Sequence, residues 1–143
     1  MPDEIRIDDV DGVRTITWDR PAALNAMSID LWDGTRDAFR SAVDDGIGCV
    51  VLTGAGRAFT AGVGLGEFGD PRHADASRGF RGFMSALAEV DVPLVAAVNG
   101  LAVGIGTTVL PWCDIAIAGA SARFKVPFLS LGVTTEAASS VTL

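Results

Sequence analysis

Few side chains in this sequence can do chemistry, and they narrow the options quickly. The single histidine, His73, stands in a polar stretch that reads as a loop, with no cysteine or second histidine near it. Neither a metal site of ordinary spacing nor a Ser-His-Asp arrangement can be built around it, so no metal is expected. Cys49 and Cys113 each lie in or beside an apolar run and read as buried thiols. What remains is backbone. Two glycine-rich stretches, residues 54–68 and 99–106, each follow an apolar, strand-like run. The first lacks the Gly-Lys-Ser/Thr ending of a phosphate-binding loop. Its Gly62-Val63-Gly64 carries Glu67 where a dinucleotide fingerprint needs a third glycine. Turns without side chains can instead aim N–H groups at one point, and two such donors are the anatomy of an oxyanion hole. On spacing alone, Gly104 and Gly106 read first as a tight strand–helix junction packed on its own sheet.

The elements that must position these turns follow from periodicity. Residues 4–10 and 12–19 alternate apolar and polar around Asp11-Gly12, which predicts a β-hairpin. A loop over residues 20–27 leads to Ser28, a plausible N-cap. The spacing of Ile29, Trp32, Phe39 and Val43 predicts an amphipathic helix over 29–43. Residues 47–53 and 94–98 read as buried, parallel strands. Arg78 opens a second helix that presents Phe80, Phe83, Met84, Leu87 and Val90, after a polar stretch over 70–77. A helix over about 104–110, strands over 114–118 and 122–125, a loop from Pro127 and a last helix starting at Glu136 complete the reading. This order predicts a single α/β domain, residues 1–143, with a largely parallel sheet and a strand–strand–helix rhythm.

Composition sets the outer limits. The 143 residues carry a net charge of −7 and are 49% hydrophobic, and the mean hydropathy is +0.38. No basic stripe exists to meet nucleic-acid phosphates. No apolar run reaches the ~18–20 residues of a membrane span. The surplus apolar surface is expected in a core or in subunit contacts. No targeting segment is visible, so a reducing cytoplasmic location is the default expectation.

Four segments together resemble the crotonase (enoyl-CoA hydratase/isomerase) family. They are Ile-Thr-Trp-Asp-Arg-Pro-Ala-Ala-Leu-Asn-Ala-Met at 16–27, Val-Val-Leu-Thr-Gly-Ala-Gly-Arg-Ala-Phe-Thr-Ala-Gly at 50–62, Ala-Val-Asn-Gly at 97–100 and Cys-Asp-Ile-Ala at 113–116. The resemblance runs from about Ile5 to the last residue. It implies a ClpP/crotonase-type spiral of ββα units that lacks the family's C-terminal part. It also implies an acyl-CoA thioester as substrate, with coenzyme A belonging to the substrate and no separate cofactor. Homo-oligomers, trimers or hexamers, are implied in the same way.

Carried over by position, the resemblance assigns the oxyanion donors to the backbone amides of Val63 and Ile105. Ala23, Leu24, Ala61, Gly62, Gly64, Leu65 and Gly104 would line the path of the CoA and thioester. The family's hydratases use two glutamates, and their positions hold Thr108 and Phe128 here. Neither can act as a carboxylate acid or base. The segment 131–140 resembles the branch of Δ3,Δ2-enoyl-CoA isomerases in which one glutamate shuttles a proton, which makes Glu136 the expected catalytic base. A carboxylate in a helix first turn is the plainer alternative for Glu136. A raised pKa is expected for it, with apolar cover from Phe128 and Leu131. Hydratase-type activity and a non-catalytic CoA-binding or assembly module are the alternative functions.

Overall fold

The computed structural model describes residues 4–64 and 73–143. β1 (Ile5–Val10) and β2 (Val13–Trp18) pair antiparallel, Ile5 opposite Trp18. Asp11 and Gly12 both have positive φ, 50° and 77°, as the tight hairpin turn requires. α1 (Ile29–Ser41) starts where Ser28 Oγ accepts from the Leu31 amide at 3.2 Å. It buries Leu31, Trp32, Thr35, Ala38 and Phe39, whereas Ile29 and Val43, expected on that face, are exposed.

The expected rhythm then appears as three successive units. β3 (Cys49–Gly54), β4 (Ala58–Thr60) and α2 (His73–Glu89) form the first. β5 (Leu94–Val98), β6 (Leu101–Val103) and α3 (Ile105–Thr108) form the second. β7 (Ile115–Ala118), β8 (Arg123–Lys125) and α4 (Phe128–Leu131) form the third. A short α5 (Ser139–Thr142) follows. The first strand of each unit joins a five-stranded sheet, β1-β2-β3-β5-β7. The second joins a three-stranded sheet, β4-β6-β8. Every contact between units is parallel, so the chain winds as a spiral of ββα turns.

Several boundaries differ from expectation for local reasons. β4 and β6 are three residues each inside glycine-rich stretches and show no alternation; they exist because they pair with each other. α2 begins at His73 and not at Arg78, so the histidine belongs to a helix rather than a loop. The segment after Pro127 is a helical turn capped by left-handed Gly132, not a loop. Glu136 does not start a helix, because Ala137 and Ala138 both adopt left-handed φ, 50° and 57°, before α5.

The core lies between the larger sheet and the α1–α2 pair. Trp18 meets Phe59 at 5.0 Å between ring centroids, and Trp32 meets Phe83 at 5.0 Å. The Trp18 indole donates to Thr35 Oγ1 at 2.9 Å, which satisfies its buried N–H. By contrast the third unit exposes apolar side chains, with Ile117 62%, Phe124 50% and Leu129 95% accessible. Among the described residues no helix is long and apolar enough to cross a membrane.

Candidate active site

Two asparagines and the strand corners between the sheets build the site's floor. Gly54 and Gly100 sit where β3 and β5 hand the chain to the second sheet. A Cβ on Gly54 would fall 2.3 Å from Ala58 O, and one on Gly100 would fall 2.1 Å from Arg57 O. No other residue type fits there. Asn99 accepts from the Gly54 amide at 3.1 Å and donates to Gly56 O and Ala58 O at 2.9 and 3.1 Å. Asn25, fully buried with φ 55°, accepts from the Arg20 amide and donates to Ala55 O and Ala58 O. The pair clamps the β3–β4 turn from two sides.

This clamp brings the Ala23-Leu24 turn alongside the first glycine stretch. The Ala61 amide donates to Leu24 O at 2.9 Å, and the Met27 amide donates to Gly62 O at 2.9 Å. A trans peptide holds its C=O and N–H on opposite sides. With Gly62 O turned toward Met27, the Val63 N–H must point the other way. The second stretch repeats the device. Gly104 O accepts from the amides of Thr107 and Thr108 at 2.9 and 3.0 Å, which turns the Ile105 N–H out of α3. Gly104 has φ 57° and ψ −117°, a conformation essentially closed to other residues. Among the described residues, neither the Val63 nor the Ile105 amide donates to a protein acceptor.

The two turns lie against each other. A Cβ on Gly62 would come within 2.8 Å of Val103 O and 3.8 Å of the Gly104 Cα. The third participant arrives from the far end of the chain. Glu136 Oε1 lies 3.6 Å from the position of a Cβ on Gly104, so the carboxylate stands within van der Waals reach of this turn. Ala137 O is pinned by the Trp112 indole at 2.9 Å, and the Ser139 amide donates to Glu136 O at 2.9 Å. Two consecutive left-handed alanines are costly, about 1–2 kcal/mol each. They hold Glu136 off the α5 axis, so the helix first-turn alternative does not describe it. Burial pushes the Glu136 carboxyl above its ordinary value, and among the described residues it has no hydrogen-bond or ion-pair partner. Leu131, expected to help cover it, is itself 44% exposed.

The structure therefore brings together Leu24, Ala61, Gly62, Val63, Gly104, Ile105 and Glu136. Gly64 follows directly, Ala23 is exposed at the outer edge of its turn, and Leu65 lies outside the described residues. Thr108 is fully buried with its Oγ1 unpartnered, and Phe128 opens α4; neither supplies a proton-transfer group. Among the described residues no three of His, Cys, Asp and Glu gather where they could hold a metal ion. Burial pushes the Cys113 thiol up to about 12, far from a thiolate nucleophile. Asn25, Asn99 and Trp112 carry structural roles at this site that spacing did not reveal, because each acts on backbone distant in sequence.

Comparison with known proteins bears on the same residues. The profile of the enoyl-CoA hydratase/isomerase family matches residues 8–143. A 4-chlorobenzoyl coenzyme A dehalogenase of an Arthrobacter species is 35% identical over 144 residues, covering 95% of this chain and 52% of the relative. An enoyl-CoA hydratase of Alternaria alternata is 36% identical over 143 residues, covering 95% and 48%. The crystal structure of an enoyl-CoA hydratase from Mycobacterium marinum superposes with a TM-score of 0.86 at 47% identity, covering 96% of this chain and 66% of that one. The chain spans about half the length of the curated relatives it matches. With the family profile running through both glycine turns to the last residue, and with the ββα spiral of its solved relatives, the chain belongs to the enoyl-CoA hydratase/isomerase (crotonase) family.

Proposed function

We propose that this chain carries the core of an enoyl-CoA isomerase that converts a 3-enoyl-CoA into the 2-enoyl-CoA. The observation that carries the reading is the corner at Gly104. One half-buried carboxylate with a raised pKa stands against Gly104, whose turn carries one amide with no acceptor among the described residues and packs on the turn that carries the other. Glu136 removes a proton from C2. The electron pair moves onto the thioester oxygen, which the Val63 and Ile105 amides hold as an enolate. The protonated Glu136 then delivers the proton to C4, and the double bond comes to rest between C2 and C3. A hole donor of this type is worth about 3–4 kcal/mol and a positioned base about 10²–10⁴-fold in rate. A raised pKa suits a base that must both take and return a proton. Ala23, Leu24, Ala61, Gly62, Gly64, Leu65 and Gly104 would line the way in for the thioester.

Similarity to proteins named as hydratases supports a second reading, addition of water to a 2-enoyl-CoA. It would require water positioned without carboxylates at Thr108 and Phe128. A third reading, a CoA-binding or assembly module, draws on the half-length match and on the exposed apolar residues of the third unit. Those side chains also support covering contacts in a homo-oligomer. Incubating the chain separately with 3-enoyl-CoA and with 2-enoyl-CoA, in water labelled with ¹⁸O, separates the three. A conjugated product without label is expected from the first substrate. Labelled 3-hydroxyacyl-CoA as the main product would replace isomerisation by hydration. Binding without turnover would leave the module.

A further inference from the structure

β4 breaks the rule that strand side chains alternate between faces, since Ala58, Phe59 and Thr60 are all buried. The cause is a slip in its pairing with β6, where Ala58 faces Leu101 but Thr60 faces Ala102. Such bulges re-aim side chains, often beside active sites. Here the bulge turns Thr60 inward, into the seam between the two glycine turns, where it is fully buried. Its hydroxyl donates to Asn25 O at 2.6 Å and accepts from the Gly62 amide at 3.0 Å. Its methyl and carbonyl lie 2.7 and 3.1 Å from where a Cβ on Gly106 would stand. One side chain thus touches both turns, through Gly62 just before Val63 and through Gly106 just after Ile105.

We infer that Thr60 is a positioning residue of the oxyanion hole, fixing the direction of the Val63 amide and its spacing from the Ile105 amide. The inference rests on the proposed role of those two amides. The Thr60 proton is committed to Asn25 O, so a lone pair faces the Gly62 N–H and fixes the peptide before Gly62. The Met27 amide fixes the peptide after it through Gly62 O. With both neighbouring peptides held and Gly62 at φ 84°, the Val63 N–H has one direction left. Loss of the hydroxyl frees the first peptide to rotate. The methyl and carbonyl meanwhile explain why residue 106 is a glycine, since any side chain there would push the second turn away from the first.

The test compares the parent chain with Thr60→Val, which keeps the shape and removes the hydroxyl, and with Thr60→Ser, which restores it. The probe is butyryl-CoA labelled with ¹³C at the thioester carbonyl, whose stretching frequency falls when its oxygen accepts strong hydrogen bonds. The expected result is a lowered frequency in the parent and in Thr60→Ser. In Thr60→Val that shift falls by about half or more, with Kd changed less than about threefold, because Thr60 is fully buried and does not itself meet the ligand. On any isomerase turnover, kcat falls about 10- to 100-fold in Thr60→Val with KM nearly constant. A Thr60→Val variant with the parent's full shift would overturn the role of Thr60 while leaving the hole intact. An unshifted carbonyl in the parent would remove the hole, and this role with it. If Thr60→Val does not fold, amide hydrogen exchange in the parent decides. The Gly62 amide should be protected and the Val63 amide not, and equal exchange at both would overturn the inference.

Discussion

Arg14 and Glu136 are both charged side chains drawn in from the surface, and they are treated in opposite ways. Arg14, with only 6% of its side chain exposed, spends all five of its N–H donors. They go to both oxygens of Asp9, to one oxygen of Asp45, to Ser41 Oγ and to Ala38 O. The paired carboxylates raise the Arg14 pKa further, and the guanidinium holds Asp9 and Asp45 below the usual carboxylate range. The groove beside it, about 420 Å³ and acidic through Asp30, Asp33 and Asp37, meets a guanidinium with nothing left to offer a ligand. Glu136 has the reverse setting, with burial raising its pKa and no partner among the described residues to lower it. A charge with every bond satisfied belongs to the scaffold. A carboxylate with no partner among the described residues keeps a proton site open to a ligand.

The contrast predicts a double dissociation, and the largest effect belongs to Glu136. Glu136→Gln is expected to lower the rate of 3-enoyl-CoA conversion by about 10²–10⁴-fold while leaving thermal unfolding unchanged or slightly later. Arg14→Ala should do the opposite. Chemical denaturation is expected to show about 2 kcal/mol lost, a figure at the low end because both carboxylates are partly exposed. Activity per folded molecule should stay the same. Equal losses of stability from the two substitutions would dissolve the distinction.

Acid titration sharpens the comparison through effects of opposite sign. Asp9 and Asp45 have depressed folded-state pKa values. Their contribution to stability is therefore present above the ordinary carboxylate value of 3.8 and is lost as pH falls through the lowered values. Arg14→Ala should flatten that acid limb in unfolding measurements across low pH. Glu136 binds its proton more tightly when folded, so its contribution to stability declines as pH rises from 4.5 through the raised value. Glu136→Gln should abolish this smaller decline. In turnover the same titration appears as a rate that climbs with pH, with a midpoint above 4.5.

The strands of the larger sheet and the first two helices were legible because they announce themselves locally. Alternation around Asp11-Gly12, an N-capping Ser28 and the apolar stripe of residues 80–90 each needed only neighbours in sequence. β4 and β6 were not legible, because three-residue strands among glycines are defined by partners some 40 residues away. Of the site, the order of motifs gave the two turns and Glu136 as residues to bring together. Their directions came only from long-range bonds, with Met27 turning Gly62 O, Asn25 and Asn99 gripping Ala58 O, and Trp112 holding Ala137 O. Residues 136–140, Glu-Ala-Ala-Ser-Ser, favour a helix by propensity. Tertiary contacts override that preference and place two alanines in left-handed conformations.

The central claim is that one carboxylate carries a hydrogen from C2 to C4 across an enolate held by two amides. It is tested most directly with 3-enoyl-CoA bearing two deuterium atoms at C2. The expected product is 2-enoyl-CoA, part of which carries deuterium at C4, delivered by Glu136 before exchange with water is complete. A product whose C4 acquires only solvent hydrogen, even in the first turnovers, would contradict a single shuttling carboxylate.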